Sequence, residues 1–299
     1  MKRAICITNG EQGENHAGMQ KIGNGLADRG YNLEDAIKFK ARFEAMGGEA
    51  TLYNLREECG INDDENLKEN CEEAYLLKFE DGVNVLFMNK IKKEFEKKKS
   101  KVSQKISDNI IEECLKKVSE KFNSKKLFEE QFTFEWDTKY WDTRRSKVLN
   151  KHARHNVCYG KQSQNPDYEN KKGTVIAYSK LRVMKAWRKE LLDLIEEKSS
   201  DFVAEGNLYY DVNKTGIGFH GDAERRKVVA GNFCDEGIIR ELNYIPYFLG
   251  KRVGKRFRME LKNGDMYIMI AAAAGTDWKK QLKVTFRHAA GIEGSKYLK

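Results

Sequence analysis

A series of short apolar segments, each about the length of one β-strand, fills the last quarter of the 299-residue chain. Short turns such as Asn263-Gly264-Asp265 separate the segments, and one amphipathic segment at 184–198 predicts a helix before them. Several short strands at this spacing predict a β-sandwich or jelly roll rather than a parallel α/β sheet. The predicted strands are 228–233, 244–249, 256–261, 266–270 and 283–286.

The beginning of the chain has a different pattern, typical of a small α/β unit. Residues 4–8 form a short apolar run, and residues 32–46 carry apolar side chains at helical spacing before Gly47-Gly48. A glycine pair is a common helix stop, so we expect a helix that ends there. Residues 50–55 alternate as a strand does. In addition, Asp81-Gly82 lies between two apolar runs (74–79 and 83–87), which predicts a β-hairpin.

A lysine-rich segment follows, from Lys90 to Lys126. Its apolar residues recur near the helical period, so we expect a lysine-coated helix, broken near Ser100. A solvated helix face and a nucleic-acid contact both fit its charge. We therefore predict an N-terminal accessory α/β region over residues 1–125 and a second domain over residues 126–299.

Overall composition restricts the classes of protein to consider. The net charge of +9 favours a polyanionic partner, without establishing one. No stretch approaches the apolar length of a membrane span, and the N-terminus lacks the apolar region of a signal peptide, so we expect a cytoplasmic protein without a membrane partner. The six cysteines are scattered without a C-x-x-C pair, which predicts free thiols. The sequence leaves the oligomeric state open.

The strongest chemical signal is an H-x-D pair, His220 and Asp222. In a strand these two side chains share one face, where an imidazole and a carboxylate bind one divalent ion from adjacent corners. His288 is the only histidine that follows Asp222. If a return strand brings it close, the three residues form the facial triad of non-haem Fe(II) oxygenases, with positions open for a co-substrate and O₂.

The surrounding motifs resemble the AlkB-like branch of the Fe(II)/2-oxoglutarate dioxygenases, over roughly the second half of the chain. That family has an N-x-Y strand, a metal strand of the form IG-x-H-x-D-x-E, an L-x-x-G-D-x-x-x-M segment and a closing T-F-R. The chain has Asn207-Leu-Tyr209, then Ile217-Gly-Phe-His220-Gly-Asp222-Ala-Glu224, then Leu261-Lys-Asn-Gly264-Asp265-Met-Tyr-Ile-Met269, and finally Thr285-Phe286-Arg287.

The resemblance implies an α+β protein whose catalytic domain is a double-stranded β-helix, or jelly roll. It implies Fe(II) as cofactor, and 2-oxoglutarate and O₂ as co-substrates. One departure concerns the distal histidine, which in this family precedes the closing strand; here residues 275–282 contain none. Either His288 is the third ligand from a shifted position, or the triad is incomplete and the protein binds without oxidising.

The resemblance points to Arg287 as the cation for 2-oxoglutarate, since a guanidinium suits a buried carboxylate. However, if His288 faces the metal, strand alternation turns Arg287 away. Lys296 then becomes the better placed competitor and Arg258 another. Further hydrogen bonds are expected from the strand before the metal strand, from Asn207 with Tyr209, or from Tyr210 if the register differs by one.

Substrate-binding candidates lie upstream, where AlkB-like enzymes carry their nucleotide-recognition lid. Residues 150–160 are rich in the side chains that stack bases and bind phosphates. We therefore expect oxidation of a nucleic-acid base in DNA or RNA, by demethylation or hydroxylation. The alternatives are the same chemistry on a protein side chain or small molecule, and a basic nucleic-acid-binding protein on a degenerate scaffold. The candidates are His152, Arg154, His155, Tyr159 and, just past the metal strand, Arg225.

Overall fold

A computed structural model describes residues 1–99, 113 and 116–299. The chain is an α+β protein built around two main β-sheets. The helices are α1 (Leu33–Ala45), α2 (Leu55–Glu58), α3 (Glu65–Glu69), α4 (Gly82–Lys99), α5 (Ser124–Glu130) and α6 (Arg182–Leu194). The first strands are β1 (Ala4–Gly10), β2 (Gln12–Glu14), β3 (Lys21–Gly23), β4 (Glu49–Asn54), β5 (Ala74–Glu80), β6 (Lys139–Asp142), β7 (Lys147–Asn150), β8 (His155–Gly160) and β9 (Val175–Ala177). The later strands are β10 (Val203–Tyr209), β11 (Ile217–His220), β12 (Val228–Cys234), β13 (Arg240–Phe248), β14 (Lys251–Arg252), β15 (Phe257–Leu261), β16 (Met266–Ala271) and β17 (Thr285–Gly291).

The larger sheet has eight strands in the order β4-β5-β16-β12-β1-β10-β8-β9. Strand β1, from the start of the chain, lies between β10 and β12 and pairs antiparallel with both. Strand β5 likewise pairs with β16. The predicted boundary near residue 125 therefore does not separate two sheets, because strands from both sides of it build this one. The motif search missed this because strand pairing over such sequence distances leaves no local signal.

Alternating side chains divide the larger sheet between two apolar cores. In β1, Ile5 and Ile7 belong to one buried cluster, and Ala4 and Cys6 belong to the other. Since consecutive strand residues point to opposite faces, the sheet is covered on both sides. The first cluster includes apolar residues of α1, α4 and α6, so helices cover that face.

The smaller sheet covers the other face of the larger sheet. It has the order β11-β17-β13-β14, with β15 also paired to β13. Leu242 and Tyr244 of β13 and Phe286 of β17 lie in the same buried cluster as Ala4 and Cys6 of the larger sheet. The two sheets thus face each other across a shared core, as in a β-sandwich. The turn at Gly264, whose φ is +92°, leads from β15 in the smaller sheet to β16 in the larger one.

Most predicted elements agree with the structure to within a few residues. The helix predicted at 32–46 is α1, and Asn32 caps it by accepting a hydrogen bond from the backbone N–H of Asp35 at 2.9 Å. The strands predicted at 4–8 and 50–55 are β1 and β4, and the five C-terminal strands correspond to β12, β13, β15, β16 and β17. The helix predicted at 184–198 is α6, which ends four residues earlier, at Leu194.

The hairpin predicted at Asp81-Gly82 is wrong. After β5 the chain enters helix α4 instead of a second strand. Val83, Leu86 and Phe87 are buried at helical spacing against the core. A short apolar run fits a strand or one face of a helix equally well, and tertiary packing decides here.

The lysine-rich segment is described only in part. Helix α4 extends to Lys99, and the break predicted near Ser100 lies outside the described residues. Within the described part of the chain, no helix combines the length and apolarity needed to cross a bilayer. The cysteines of this part are free and buried, as predicted; they are Cys6, Cys59, Cys71, Cys158 and Cys234.

Candidate metal centre

Two histidines face each other across neighbouring strands of the smaller sheet. His220 ends β11 and His288 lies in β17, and the two residues are directly paired in the antiparallel register. Their ring centroids are 4.4 Å apart. His288 also pairs with Tyr244 of β13, so it lies between two strands and is only 5% exposed. The return strand thus brings the distal histidine to the H-x-D pair.

Asp222 completes the cluster. Its Oδ1 lies 3.6 Å from Nε2 of His220 and 3.6 Å from Nε2 of His288. One ligand atom from each of the three residues lies within 4.8 Å of the other two. Ligand atoms at adjacent corners around a metal, with bonds of about 2.1 Å, lie roughly 3 Å apart. Small side-chain movements would therefore bring all three atoms to one ion.

A close backbone contact fixes the loop that carries Asp222. The backbone N–H of Asp222 donates to the carbonyl of Ala274 at 3.0 Å. A Cβ on Gly221 would lie 2.1 Å from the carbonyl oxygen of Gly275. Only glycine allows this approach. The run of alanines at 271–274, for which the sequence predicted close packing and no polar chemistry, is the segment that receives the metal loop.

The protonation of His220 suits metal binding. Burial, with a further contribution from neighbouring His288, lowers the pKa of His220 to about 3, so the ring is neutral near pH 7. Its Nδ1 lies 2.8 Å from the carbonyl oxygen of Gly218, an acceptor, which assigns the proton to Nδ1. Nε2 is therefore the unprotonated nitrogen and faces Asp222.

Arg225 holds the other side of the Asp222 carboxylate. Its Nε lies 3.8 Å from Oδ2 of Asp222, whereas Oδ1 faces the two histidines. Burial alone would raise the pKa of Asp222, but the adjacent His288 and the charge of Arg225 keep it below its ordinary value. Arg225 itself is 3% exposed and donates to Glu205 at 2.6 Å and Glu224 at 2.5 Å. It was predicted to contact substrate at the mouth of the site; instead it is a buried group that positions the candidate ligand.

The cluster lies in a cavity of about 360 Å³ between the two sheets. Several sequence-predicted residues line this cavity together with the triad. They are Asn207, Tyr209, Arg154 and Arg225. Asn207 receives hydrogen bonds on Oδ1 from Arg154 at 2.5 Å and Asn156 at 2.6 Å. The structure therefore joins the N-x-Y strand, the metal strand and one residue of the predicted lid.

Four predicted co-substrate ligands lie elsewhere. Tyr210 points away from its neighbour Tyr209 and donates to the backbone carbonyl of His152 at 3.0 Å. Arg287 is turned from His288 by strand alternation, and its guanidinium lies 3.7 Å from the ring centroid of Tyr247. Lys296 is exposed and does not line the cavity, and Arg258 lines a separate surface depression beside Glu241. The expectation that a triad-facing His288 would exclude Arg287 thus agrees with the structure.

Three predicted substrate ligands also lie outside the cavity. Tyr159 is fully buried in the core, where its hydroxyl donates to Oε1 of Gln131 at 2.7 Å. A base cannot stack on it. His155 stacks on Tyr210 with centroids 4.4 Å apart, and His152 is exposed. Alternation along β8 explains the split, because composition reveals which residues are available but not which face they occupy.

Residues that sequence reasoning missed complete the cavity. His16 and Ala17, from the loop after β2, and Trp278 and Lys279, from the segment before β17, line it. His16 stacks on Tyr140 with ring centroids 3.7 Å apart. The lysine–tryptophan segment was examined only for a missing histidine, and the N-terminal loop carries no signal that would place it here.

Comparison with known proteins gives one relative. No protein-family model matches the chain. The chain is 34% identical over 296 residues to a protein of Acanthamoeba polyphaga mimivirus named "Uncharacterized protein R156", and the match covers 98% of this chain and 97% of the viral protein. The chain therefore belongs to the same protein family as R156 of the mimivirus.

Proposed function

We propose that this protein is an AlkB-like, Fe(II)- and 2-oxoglutarate-dependent oxygenase that acts on a nucleic-acid base. One observation carries the proposal: His220, Asp222 and His288 converge in a cavity between two facing sheets. Two imidazoles and one carboxylate, with the remaining positions open, are the ligand set of non-haem Fe(II) oxygenases.

The arrangement of strands supports a double-stranded β-helix around this site. The metal-binding strands β11 and β17 belong to the smaller sheet, and β10, with the N-x-Y motif, belongs to the larger sheet that faces it. The order of motifs in the sequence and the convergence of their side chains on one cavity point to the same fold.

Each residue has a separate role in the proposed centre. Bound Fe(II) would supply the redox chemistry that couples conversion of 2-oxoglutarate to succinate and CO₂ with oxidation of a substrate C–H bond. His220 and His288 would bind through Nε2 and Asp222 through Oδ1, with Arg225 holding Oδ2 in place. The enclosing sheets exclude water from the centre, which strengthens these interactions.

The cavity mouth favours a base as substrate. His16 on Tyr140 and Trp278 offer flat aromatic faces, and Arg154 and Lys279 add positive charge beside them. Stacking with nearby cations is how proteins hold single-stranded or extruded bases. A base in a duplex would first have to be flipped out. The net charge of +9 agrees with a polyanionic partner.

The test measures succinate released from 2-oxoglutarate with Fe(II) and O₂, by the wild type and by His220→Ala. We expect turnover by the wild type and its loss in the variant. Equal turnover by both proteins would exclude an oxygenase centre at His220.

Binding of short DNA and RNA at several salt concentrations tests the substrate class. Phosphate contacts give a steep fall of affinity with salt. Turnover without nucleic-acid binding would indicate a protein side chain or a small molecule as substrate. Salt-dependent binding without turnover would indicate a non-catalytic binding protein.

A further inference from the structure

Arg240 is a buried cation without a counter-ion. The residue is 2% exposed, and its Nη1 donates to Oδ1 of Asn232 at 2.8 Å. Its Nη2 has no hydrogen-bond partner, and no carboxylate among the described residues forms an ion pair with it. Burying a charged group without a partner is unfavourable by several kcal/mol, on the order of what a bound anion returns.

The side chain of Arg240 lies at the floor of the metal cavity. Arg240, Leu242 and Tyr244 alternate along β13, so all three face the larger sheet. Tyr244 is paired with His288, and Leu242 lines the cavity. The Arg240 guanidinium carbon lies 4.1 Å from the ring centroid of Tyr209, which also lines the cavity. The free nitrogen is thus placed beyond the triad, in the space between the sheets.

The other cations of this cavity are already engaged or lie at its mouth. Arg225 is bonded to Glu205 and Glu224, and Arg154 is bonded to Asn207. Lys279 belongs to the segment that forms the mouth, where Trp278 also lies. Arg287, the candidate from family resemblance, packs on Tyr247 outside the cavity.

We infer that Arg240 binds the far carboxylate of an oxo-dicarboxylate whose other end lies at the triad. The inference rests on the proposed function, in which that ligand is 2-oxoglutarate. It moves the carboxylate-binding role from the closing strand β17 to the neighbouring strand β13. Strand spacing puts the Cα atoms of Arg240 and Tyr244 about 13 Å apart, a distance that the long arginine side chain and a five-carbon diacid span together.

Asn232 fixes the orientation of this guanidinium. Its Nδ2 donates to the carbonyl of Lys262 at 2.9 Å and to that of Leu261 at 3.3 Å, so its Oδ1 is held toward Arg240. With Nη1 engaged, Nη2 remains for the ligand. Asn232 is therefore a positioning residue for the proposed contact.

Calorimetric titration of the full-length protein, loaded with redox-silent Mn(II), tests the assignment. The ligands are 2-oxoglutarate and 2-oxobutyrate, which has the same oxo-acid end but no far carboxylate. We expect Arg240→Met to weaken 2-oxoglutarate binding about 100-fold and to leave 2-oxobutyrate binding unchanged. Arg287→Met, the matched control, should bind both ligands as the wild type does.

Arg240→Lys keeps the charge and guards against a failure of the methionine variant to fold, which thermal unfolding would reveal. It should bind 2-oxoglutarate with an intermediate affinity, because an ammonium cannot form the bidentate contact. Wild-type affinity for 2-oxoglutarate in both Arg240 variants, with a loss in Arg287→Met, would overturn the inference and leave the proposed function standing. A wild type that binds no Mn(II) would overturn the proposed function itself.

Discussion

His220 and His288 are cross-strand partners whose rings lie 4.4 Å apart, although they come from distant parts of the sequence. This pairing makes the candidate centre depend on the register of β11 against β17. A slip of one residue would turn His288 out of the cavity and Arg287 into it, because strand side chains alternate.

His288 is the candidate ligand for which sequence gave the weakest support, so its removal is the sharpest test of the centre. We expect His288→Ala to lower Mn(II) affinity at least about 100-fold, since one of three protein ligands is lost. The control is His155→Ala, which removes a histidine that stacks on Tyr210 outside the cavity. Equal affinity in the two variants would show that His288 is not a ligand.

Two glycines flanking His220 offer a matched pair of substitutions. A Cβ on Gly221 would meet the carbonyl oxygen of Gly275 at 2.1 Å, whereas a Cβ on Gly218 has no atom within 4 Å. We expect Gly221→Ala to lower the free energy of unfolding by about 2–3 kcal/mol and to weaken metal binding, because the Asp222 loop must shift. Gly218→Ala should change stability by less than about 0.5 kcal/mol. Denaturant unfolding and metal titration of both variants check this, and similar effects in the two would contradict the packing argument.

Tyr159 separates a core role from a substrate role. Tyr159→Phe removes the hydrogen bond to Gln131 and leaves a buried acceptor unpaired, so stability should fall by about 1–2 kcal/mol. Because the ring lies in the core, affinity for short single-stranded DNA or RNA should be unchanged. Fluorescence titration and denaturant unfolding measure the two effects. A selective loss of nucleic-acid affinity at wild-type stability would restore the substrate role.

His16 predicts a stability change in mild acid. Burial lowers the pKa of His16 to about 4, from an ordinary value of 6.5. Between these values the unfolded chain binds more protons, so the contribution to stability is complete above the unfolded pKa and is lost as the pH falls through about 4. The stability of the wild type relative to His16→Gln should therefore decrease, by on the order of 1–2 kcal/mol, between about pH 7 and about pH 4.5. Denaturant unfolding of both proteins at the two pH values measures this, and a constant difference would contradict the burial of His16.

Local sequence patterns predicted much of the fold. Helix α1 has its capping Asn32 and its glycine stop, and the C-terminal strands have period-two alternation with turn residues between them. The same patterns could not assign residues 83–87, whose short apolar run enters helix α4. Nor could they show that β1 and β5 join a sheet with β10, β12 and β16.

Prediction of the candidate site was accurate where spacing alone determines geometry. His220 and Asp222 share a face because they are two residues apart, and His288 was reached by elimination. Alternation also excluded Arg287 once His288 was taken to face inward. By contrast, placing Tyr159, His155 and Lys296 required knowledge of which face or end of each element reaches the cavity, and composition does not contain it. Arg240 was overlooked because an arginine at the start of an apolar strand looks like an ordinary surface residue.

The central position of β1 has a consequence for synthesis of the protein. This strand emerges first from the ribosome, yet both of its partners, β10 and β12, are among the last third of the residues to be made. Until then its fully buried isoleucines have no sheet to join, and pairing over so long a sequence distance is slow. The nascent chain must therefore be kept from aggregating until nearly all of it is available, and the metal cavity can form only after release of the closing strand.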